Sequence, residues 1–140
     1  MTLPEDRQRA AYALWTKVSI RFSDQDPQGH VNNAAYASYT ETVRVDFFRR
    51  IAAVVGDPSQ GFTLGHIAID YLKELTYPGE IDAGIRLIKL GTKSITTRSG
   101  MFLGDVCVAT ATAVNVCFDI HTRQSRPMDT LTRTAFEKYL

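Results

Sequence analysis

The segment FSDQDPQGHVNN, from Phe22 to Asn33, concentrates groups able to act on a carbonyl. Asp24 and Asp26 bring carboxylates and His30 an imidazole, while Pro27 stiffens a turn and Gly29 leaves room for a ligand against the backbone. A long helical pattern follows at once. The first N–H groups of a helix lack intrahelical partners and lie at the positive end of its dipole, so negative charge developing on a carbonyl oxygen is stabilised there. One short segment thus combines a base or nucleophile with an oxyanion site, and the N–H of Asn33 is the expected donor.

Each of these residues also has a plainer use. Asp26, Asn32 and Asn33 are all good helix caps, and for Asn32 and Asn33 capping is the default beside the alternative of positioning water. His30 is a catalytic candidate as a base, but a carboxylate already fills that role and no third residue is visibly placed to orient the imidazole, so bonding the loop and lining the acyl pocket is the preferred reading. Glu41 and Arg44 are spaced for an ion pair on the helix surface or at an interface. His66 is a lone imidazole in a strand, structural unless a bulge turns it toward the pocket. The 3 histidines are scattered, with no Cys or Glu at ligand spacing, so no zinc site is expected. Asp24 and Asp26 alone do not make a calcium or magnesium site, and no cofactor is called for.

The elements that must position this chemistry follow from periodicity. Val18, Ile20 and Phe22 alternate, predicting a first strand over Lys17 to Phe22. From about Val31 to Ala53, Tyr36, Tyr39, Val43, Phe47 and Ile51 recur at three- and four-residue spacing, the stripe of one long helix. Arg49 and Arg50 suit its carboxyl end, and Gly56, Asp57 and Pro58 its exit.

Strands are predicted over Phe62 to Leu75, Ile81 to Leu90, Ser94 to Leu103 and Val106 to Asp119. Pro78-Gly79, Gly91 and Gly104-Asp105 separate them as turns of consecutive antiparallel hairpins. Phe62 and Leu64 are out of phase with Ile67, Ile69 and Tyr71, which predicts a bulge near Gly65 and His66. In the last strand Val106, Val108, Thr110, Thr112, Val114, Val116 and Phe118 are expected on one face, and Cys107, Ala109, Ala111, Ala113 and Cys117 on the other, a small-residue face that a helix can approach closely. A short terminal helix is expected within Asp129 to Leu140. The reading is α+β: a highly curved sheet wrapped around one long helix. Tyr36, Tyr39, Phe47, Phe48, Phe62 and Tyr71 can line an acyl tunnel, but core is the safer assignment for most.

At 140 residues with 44% hydrophobic content the chain has the material for one domain, 1–140. Its net charge of +1 argues against a nucleic-acid surface. The amino terminus has no apolar signal core and no run is long enough to span a bilayer, so no membrane partner and a cytoplasmic location are expected. Cys107 and Cys117 lie too far apart along one strand to bridge, and read as buried free thiols in a reducing compartment.

The run D-x-D-x-x-G-H-V-N-N-x-x-Y-x-x-Y-x-E, carried by Asp24, Asp26, Gly29, His30, Val31, Asn32, Asn33, Tyr36, Tyr39 and Glu41 with Arg44 beyond it, resembles the 4-hydroxybenzoyl-CoA thioesterase-like branch of the hotdog superfamily. The likeness continues more weakly through IDYLKELTYPGEIDAGIRLIKLGTKSIT to roughly the last ten residues. It implies a hotdog fold, with a curved antiparallel sheet of about five strands around a central helix, and hydrolysis of acyl-CoA to free CoA and a carboxylic acid. Asp26 aligns with the family's nucleophile or general base, and Asp24 with a flanking position that orients the loop. LGTKSITT aligns with the segment receiving pantetheine and nucleotide, making Gly91, Thr92, Lys93 and Ser94 candidate binding residues beside Asn32, Tyr36 and His66. Lys89, Arg98, Arg123 and Arg126 are further basic groups near these segments that could meet phosphate. A homodimer or homotetramer with its active site at a subunit interface is implied too. Two other readings compete. One is a hotdog enoyl-CoA hydratase or dehydratase, although the D-x-N-P-x-H pattern expected of those is missing; the other is a non-catalytic acyl-CoA or acyl-carrier-protein binding module.

Overall fold

The computed structural model describes residues 3–52 and 57–140. Its elements are β1 (Leu14–Ser19), α1 (Asn33–Ala52), β2 (Gln60–Tyr71), β3 (Glu80–Leu90), β4 (Ser94–Leu103), β5 (Val106–Asp119) and α2 (Thr130–Glu137). The strands form one antiparallel sheet in the order β1-β3-β4-β5-β2. Because β1 and β2 are its opposite edges, the chain between them must traverse the sheet, and α1 makes that crossing. Tyr36, Tyr39, Val43, Phe47 and Ile51 are buried along α1, as their spacing predicts. They meet Ile81, Ala83, Ile85, Ile95, Met101, Ala109 and Cys117 of the sheet in one core. The hotdog arrangement of sheet and central helix is present.

The bounds of β1, α1 and β2 differ from the sequence reading; β2 covers Gln60–Tyr71 and not Phe62 to Leu75, because its ladder with β5 ends at Tyr71 and Leu72 and Lys73 both turn their N–H groups to the Val108 carbonyl. β1 begins at Leu14 and ends at Ser19; Phe22 belongs to a 3₁₀ turn, Phe22–Asp24, and is exposed. The inward alternation holds for Val18 and Ile20 but not for Phe22, because the Asp24 carboxylate accepts the Arg21 backbone N–H at 2.9 Å and curls the chain out of the strand. α1 starts at Asn33, because Val31 instead donates its N–H to the Leu75 carbonyl at 2.8 Å. Ala53 and Gly56 lie outside the described residues.

A further difference is topological. Residues 72–79 do not close a hairpin at Pro78-Gly79, since β2 pairs with β5 and β3 with β1 and β4. β2 and β3 are separated by β5 and β4, about 14 Å at the usual strand spacing, which an extended connection of this length spans easily. The last three strands alone form the meander. This crossing segment carries Lys73, Glu74 and the buried Leu75 beneath the start of α1.

The bulge is where the phase change predicts it, with register shifting between Leu64 and His66. Another irregularity lies in β5, where Met101 pairs with Ala109 but Phe102 with Cys107. Val108 is the extra residue, so the alternation inverts there. Ala109 and Cys117 face α1, whereas Cys107 packs on the opposite face with Tyr12, Trp15 and Phe102. The two thiols are buried and free, but they do not share a face as simple alternation predicts.

Residues 3–12 cover that convex face. Arg98 reaches Asp6 and donates to Thr110 at 3.0 Å and Thr112 at 2.6 Å, and Arg9 lies 4.4 Å over the Trp15 ring. Gly100 allows the close approach: a Cβ there would sit 2.8 Å from the Tyr12 ring. At the carboxyl end, Asp129 caps α2 by accepting the Thr132 N–H at 2.9 Å.

Candidate active site

The loop from Ile20 to Asn32 is anchored by Asp24. This carboxylate is buried and accepts from the Tyr39 hydroxyl at 2.6 Å, from the Arg21 backbone N–H, and from the Arg21 guanidinium at 3.0 Å and 3.2 Å. Burial opposes its ionisation, but these donors together outweigh that cost and hold Asp24 below the usual carboxylate range. With both oxygens committed, Asp24 orients the loop, the part its sequence position suggests.

Asp26 is built differently. Its Oδ1 accepts the backbone N–H groups of Gln28 at 2.9 Å and His30 at 3.1 Å, while Oδ2 has no partner among the described residues. The turn is closed by Gly29 N–H to the Asp26 carbonyl at 3.1 Å and by Asp26 N–H to the His30 carbonyl at 2.7 Å. Gly29 has φ +83°, a left-handed conformation costly to other residues, yet a Cβ there would meet nothing within 4 Å. Gly29 therefore acts through backbone conformation, not clearance, and it faces the outer side of the loop with Phe22 and Pro27.

At the start of α1 the Asn32 side chain accepts the Ala34 N–H at 2.9 Å, and its carbonyl accepts the Ala35 N–H at 2.9 Å. Asn32 is thus the cap. The Asn33 backbone N–H, at the first helical position, has no partner among the described residues. It is the donor free to meet a carbonyl oxygen.

Asp26, His30, Asn33 and Tyr36 line one open cleft of about 380 Å³ together with Gln28, Val31 and the crossing segment Tyr71 to Glu74. Tyr36 is buried, donates to the Lys73 carbonyl at 3.1 Å and stands edge-on to Tyr71 at 5.1 Å. Burial pushes its phenol above the ordinary value, so it remains a donor through neutral pH. Tyr71 in turn donates to the Asn33 carbonyl at 3.2 Å, which ties the end of β2 to the first turn of α1. Chemically, the cleft offers a free carboxylate oxygen, a free helix N–H, an imidazole, and aromatic walls.

Gln28, Leu72, Lys73 and Glu74 also line the cleft, outside the sequence candidates, and Glu74 is the one that meets His30. Its carboxylate lies 3.4 Å from His30 Nε2, supplying the third residue that the sequence did not reveal. Nothing in periodicity or motif marks it, because the contact depends on how residues 72–79 cross beneath the loop.

The other candidates lie elsewhere in this chain. His66 is exposed at the β2 bulge and does not line the cleft. Gly91, Thr92, Lys93 and Ser94 form the β3–β4 turn, at the end of β3 opposite Glu80 and so about 30 Å along the strand from the loop. That turn is held by the carboxyl-terminal tail: the Gly91 carbonyl accepts from Arg133, and the Thr92 carbonyl accepts the Met128 N–H at 3.1 Å. Arg98 is engaged under the amino-terminal segment, and Arg126 binds Asp57 at 3.0 Å. Arg44 makes no ion pair with Glu41; it is buried and donates to Thr40 Oγ1 at 3.1 Å, because it lies one turn beyond Thr40 on the packed side of α1. Burial lowers its pKa, with Glu41 acting in the other direction. Among the described residues no cluster of three or more His, Cys, Asp or Glu could hold a metal ion, and no helix is long and apolar enough to cross a membrane.

A family model for the thioesterase-like superfamily matches residues 20–136. The chain belongs to that superfamily. Among curated proteins it is similar to an uncharacterised protein, YsmA of Bacillus subtilis (strain 168), at 26% identity over 67% of this chain; the match spans 64% of that relative's length. The crystal structure of the PA5185 protein from Pseudomonas aeruginosa strain PAO1 shares the fold, with a TM-score of 0.84 at 22% identity over 95% of each chain. A thioesterase from Thermus thermophilus, crystallised in complex with coenzyme A and Zn, is 26% identical, with a TM-score of 0.78 over 89% of this chain and 98% of that one.

Proposed function

We propose that this member of the superfamily hydrolyses acyl-CoA thioesters to free CoA and a carboxylic acid. One observation carries the reading: Asp26, one of whose oxygens has no partner among the described residues, and Asn33, whose backbone N–H is unpaired among them, line the same cleft. A thioester carbonyl between them would place its oxygen at the helix start and its carbon before the carboxylate. Asp26 Oδ2 then either takes a proton from an attacking water or adds to the carbon itself; in both routes the C–S bond breaks and the thiolate departs. The coenzyme A bound by the Thermus thermophilus thioesterase supports this substrate class.

The working unit in this reading is at least a homodimer joined along β2. This 12-residue edge strand leaves Leu64 and Tyr71 exposed and Ile67 and Ile69 half-buried, a surface that natural sheets cover. Antiparallel addition of a second β2 about a two-fold axis sets the partner's Gln60 end beside this chain's Tyr71 end. The partner's β3–β4 turn, with Gly91 to Ser94, is thereby carried toward the cleft that holds Asp26. Such a dimer would join the two groups of candidates that one chain keeps apart, and the phosphate-bearing end of the substrate would meet Lys93 from across the interface. The buried free thiols fit a reducing, cytoplasmic setting.

The test is thiol release from a panel of short, long and aromatic acyl-CoAs, followed with a thiol reagent. Turnover on one class supports the reading and names the acyl group. Tight acyl-CoA binding with no thiol released would turn it into a binding module, and loss of enoyl absorbance without thiol would turn it into a hydratase.

A further inference from the structure

Hydrolysis leaves one proton unassigned: the one that the departing sulfur must gain. Around the cleft the titratable and charged side chains are Asp26 and His30 on the loop, Tyr36 on α1, Tyr71 at the end of β2, and Lys73 and Glu74 on the crossing segment. The Tyr36 and Tyr71 hydroxyls already donate to backbone carbonyls. The Asp26 oxygen is occupied with water or the acyl carbon. His30, with its side chain 38% exposed on the cleft wall, has Nε2 3.4 Å from a Glu74 carboxylate oxygen, and its Nδ1 has no partner among the described residues.

We infer that His30 and Glu74 form a second catalytic pair in this cleft, with His30 protonating the leaving thiolate and Glu74 acting as the positioning residue that fixes the imidazole. The inference rests on the thioesterase reading above and adds to it the fate of the thiol. As the C–S bond breaks, its electron pair passes to sulfur, and the Nδ1 proton of the imidazolium passes to the same atom to give the free thiol. The ring is left neutral with Nε2–H directed at Glu74. Asp26, which took a proton from water, returns it through solvent to His30, so atoms and charge balance over the cycle. In the anhydride route the sulfur leaves in the first step and takes its proton in the same way. An acidic partner on the far ring nitrogen fixes both orientation and tautomer, the general logic of a carboxylate behind a catalytic histidine. An ion-pair distance of 3.4 Å without substrate is compatible with this, because catalytic contacts tighten in the loaded complex.

The decisive readout is dependence on the leaving group. An alkyl thiolate such as that of CoA is basic and benefits from protonation, whereas an aryl thiolate departs without it. Glu74→Ala and His30→Ala are expected to lower kcat on an acyl-CoA at least about tenfold with little change in KM, general acids being worth up to 10²- to 10⁴-fold. On the matching arylthio ester both losses should shrink toward unity, and the double variant should be no worse than His30→Ala alone. Should Glu74→Ala melt early, Glu74→Gln keeps the shape without the charge and carries the same test. Equal losses on both leaving groups, no loss on either, or losses that multiply in the double variant would overturn the pair. A wild-type protein releasing thiol from no acyl-CoA would sink the thioesterase reading and this inference with it; turnover indifferent to Glu74 would sink the inference alone.

Discussion

Tyr39 donates its hydroxyl proton to Asp24 Oδ2 at 2.6 Å, binding the second turn of α1 to the loop that presents Asp26. The phenol is itself pushed up by burial and then by its hydrogen bond to the Asp24 carboxylate, so it stays protonated and the contact persists across the working pH range. The position of Asp26, the carboxylate proposed to react, thus depends on the neighbouring carboxylate of Asp24.

Tyr39→Phe removes one donor from a buried charge and should cost about 1.5–3 kcal/mol, the usual worth of a hydrogen bond to a charged group. Chemical denaturation measures it, and an unchanged midpoint would show that Asp24 is satisfied without Tyr39.

Acid stability follows from the same groups. Asp24 is held below its ordinary value, so its contribution is complete above the unfolded carboxylate pKa of about 3.9 and is lost as pH falls through the lower folded value. Asp57 behaves alike: the Ser59 backbone N–H and hydroxyl, then Arg126, hold it down to about 2. The melting temperature should therefore be flat above about pH 5 and fall steeply below about pH 4. Asp24→Asn should flatten part of that fall, and a fall beginning near neutrality would point to other groups.

Gly29→Val tests the turn. The cost here is conformational: a β-branched residue at φ +83° is strained by roughly 1–2 kcal/mol or more although no atom obstructs it. Relief of that strain would shift the Gly29 N–H and with it Asp26, so kcat should fall while the core remains folded by circular dichroism. Gly29→Asn, which tolerates this conformation better, should lose less. Equal activity in both variants would show that the turn does not set the carboxylate.

Much of this was legible in the chain because local periodicity and local burial agree. Tyr36 to Ile51 form a single buried stripe, and the shift of phase between Leu64 and Ile67 marks the bulge. What was not legible depends on contacts distant in sequence. The pairing of β2 with β5 cannot be inferred from turn residues, since Pro78-Gly79 looks the same in a hairpin and in a crossing. Cys107 changes face because Val108 is an extra residue opposite Phe102 and Met101, which alternation within one strand does not reveal. Glu74 reaches His30 only because of that crossing. Spacing alone pairs Arg44 with Glu41, although burial beside Thr40 takes it elsewhere.

Assembly along β2 predicts a particle of at least twice the monomer mass by light scattering, with a melting temperature that rises with protein concentration. A monomer at working concentration would remove the partner's Gly91 to Ser94 from the cleft and leave phosphate recognition to Lys73 and its neighbours.

Asp26→Asn separates catalysis from architecture. Asp26 Oδ1 holds the loop through the N–H groups of Gln28 and His30, and the amide oxygen of Asn can accept both. The substitution replaces only Oδ2, the oxygen without a protein partner, by an NH₂ group that is neither base nor nucleophile. Folding and binding of a non-hydrolysable acyl-CoA analogue should therefore be kept, while kcat falls by at least about 10²-fold, the lower end of what a positioned acid–base group contributes. Asp24→Asn is expected to show the opposite balance, with stability lost through the contacts to Tyr39 and Arg21 and activity lost only as the loop loosens. A folded Asp26→Asn protein with near-wild-type kcat would show that Asp26 serves the turn alone, and His30, whose Nδ1 is free, would then be the base to test.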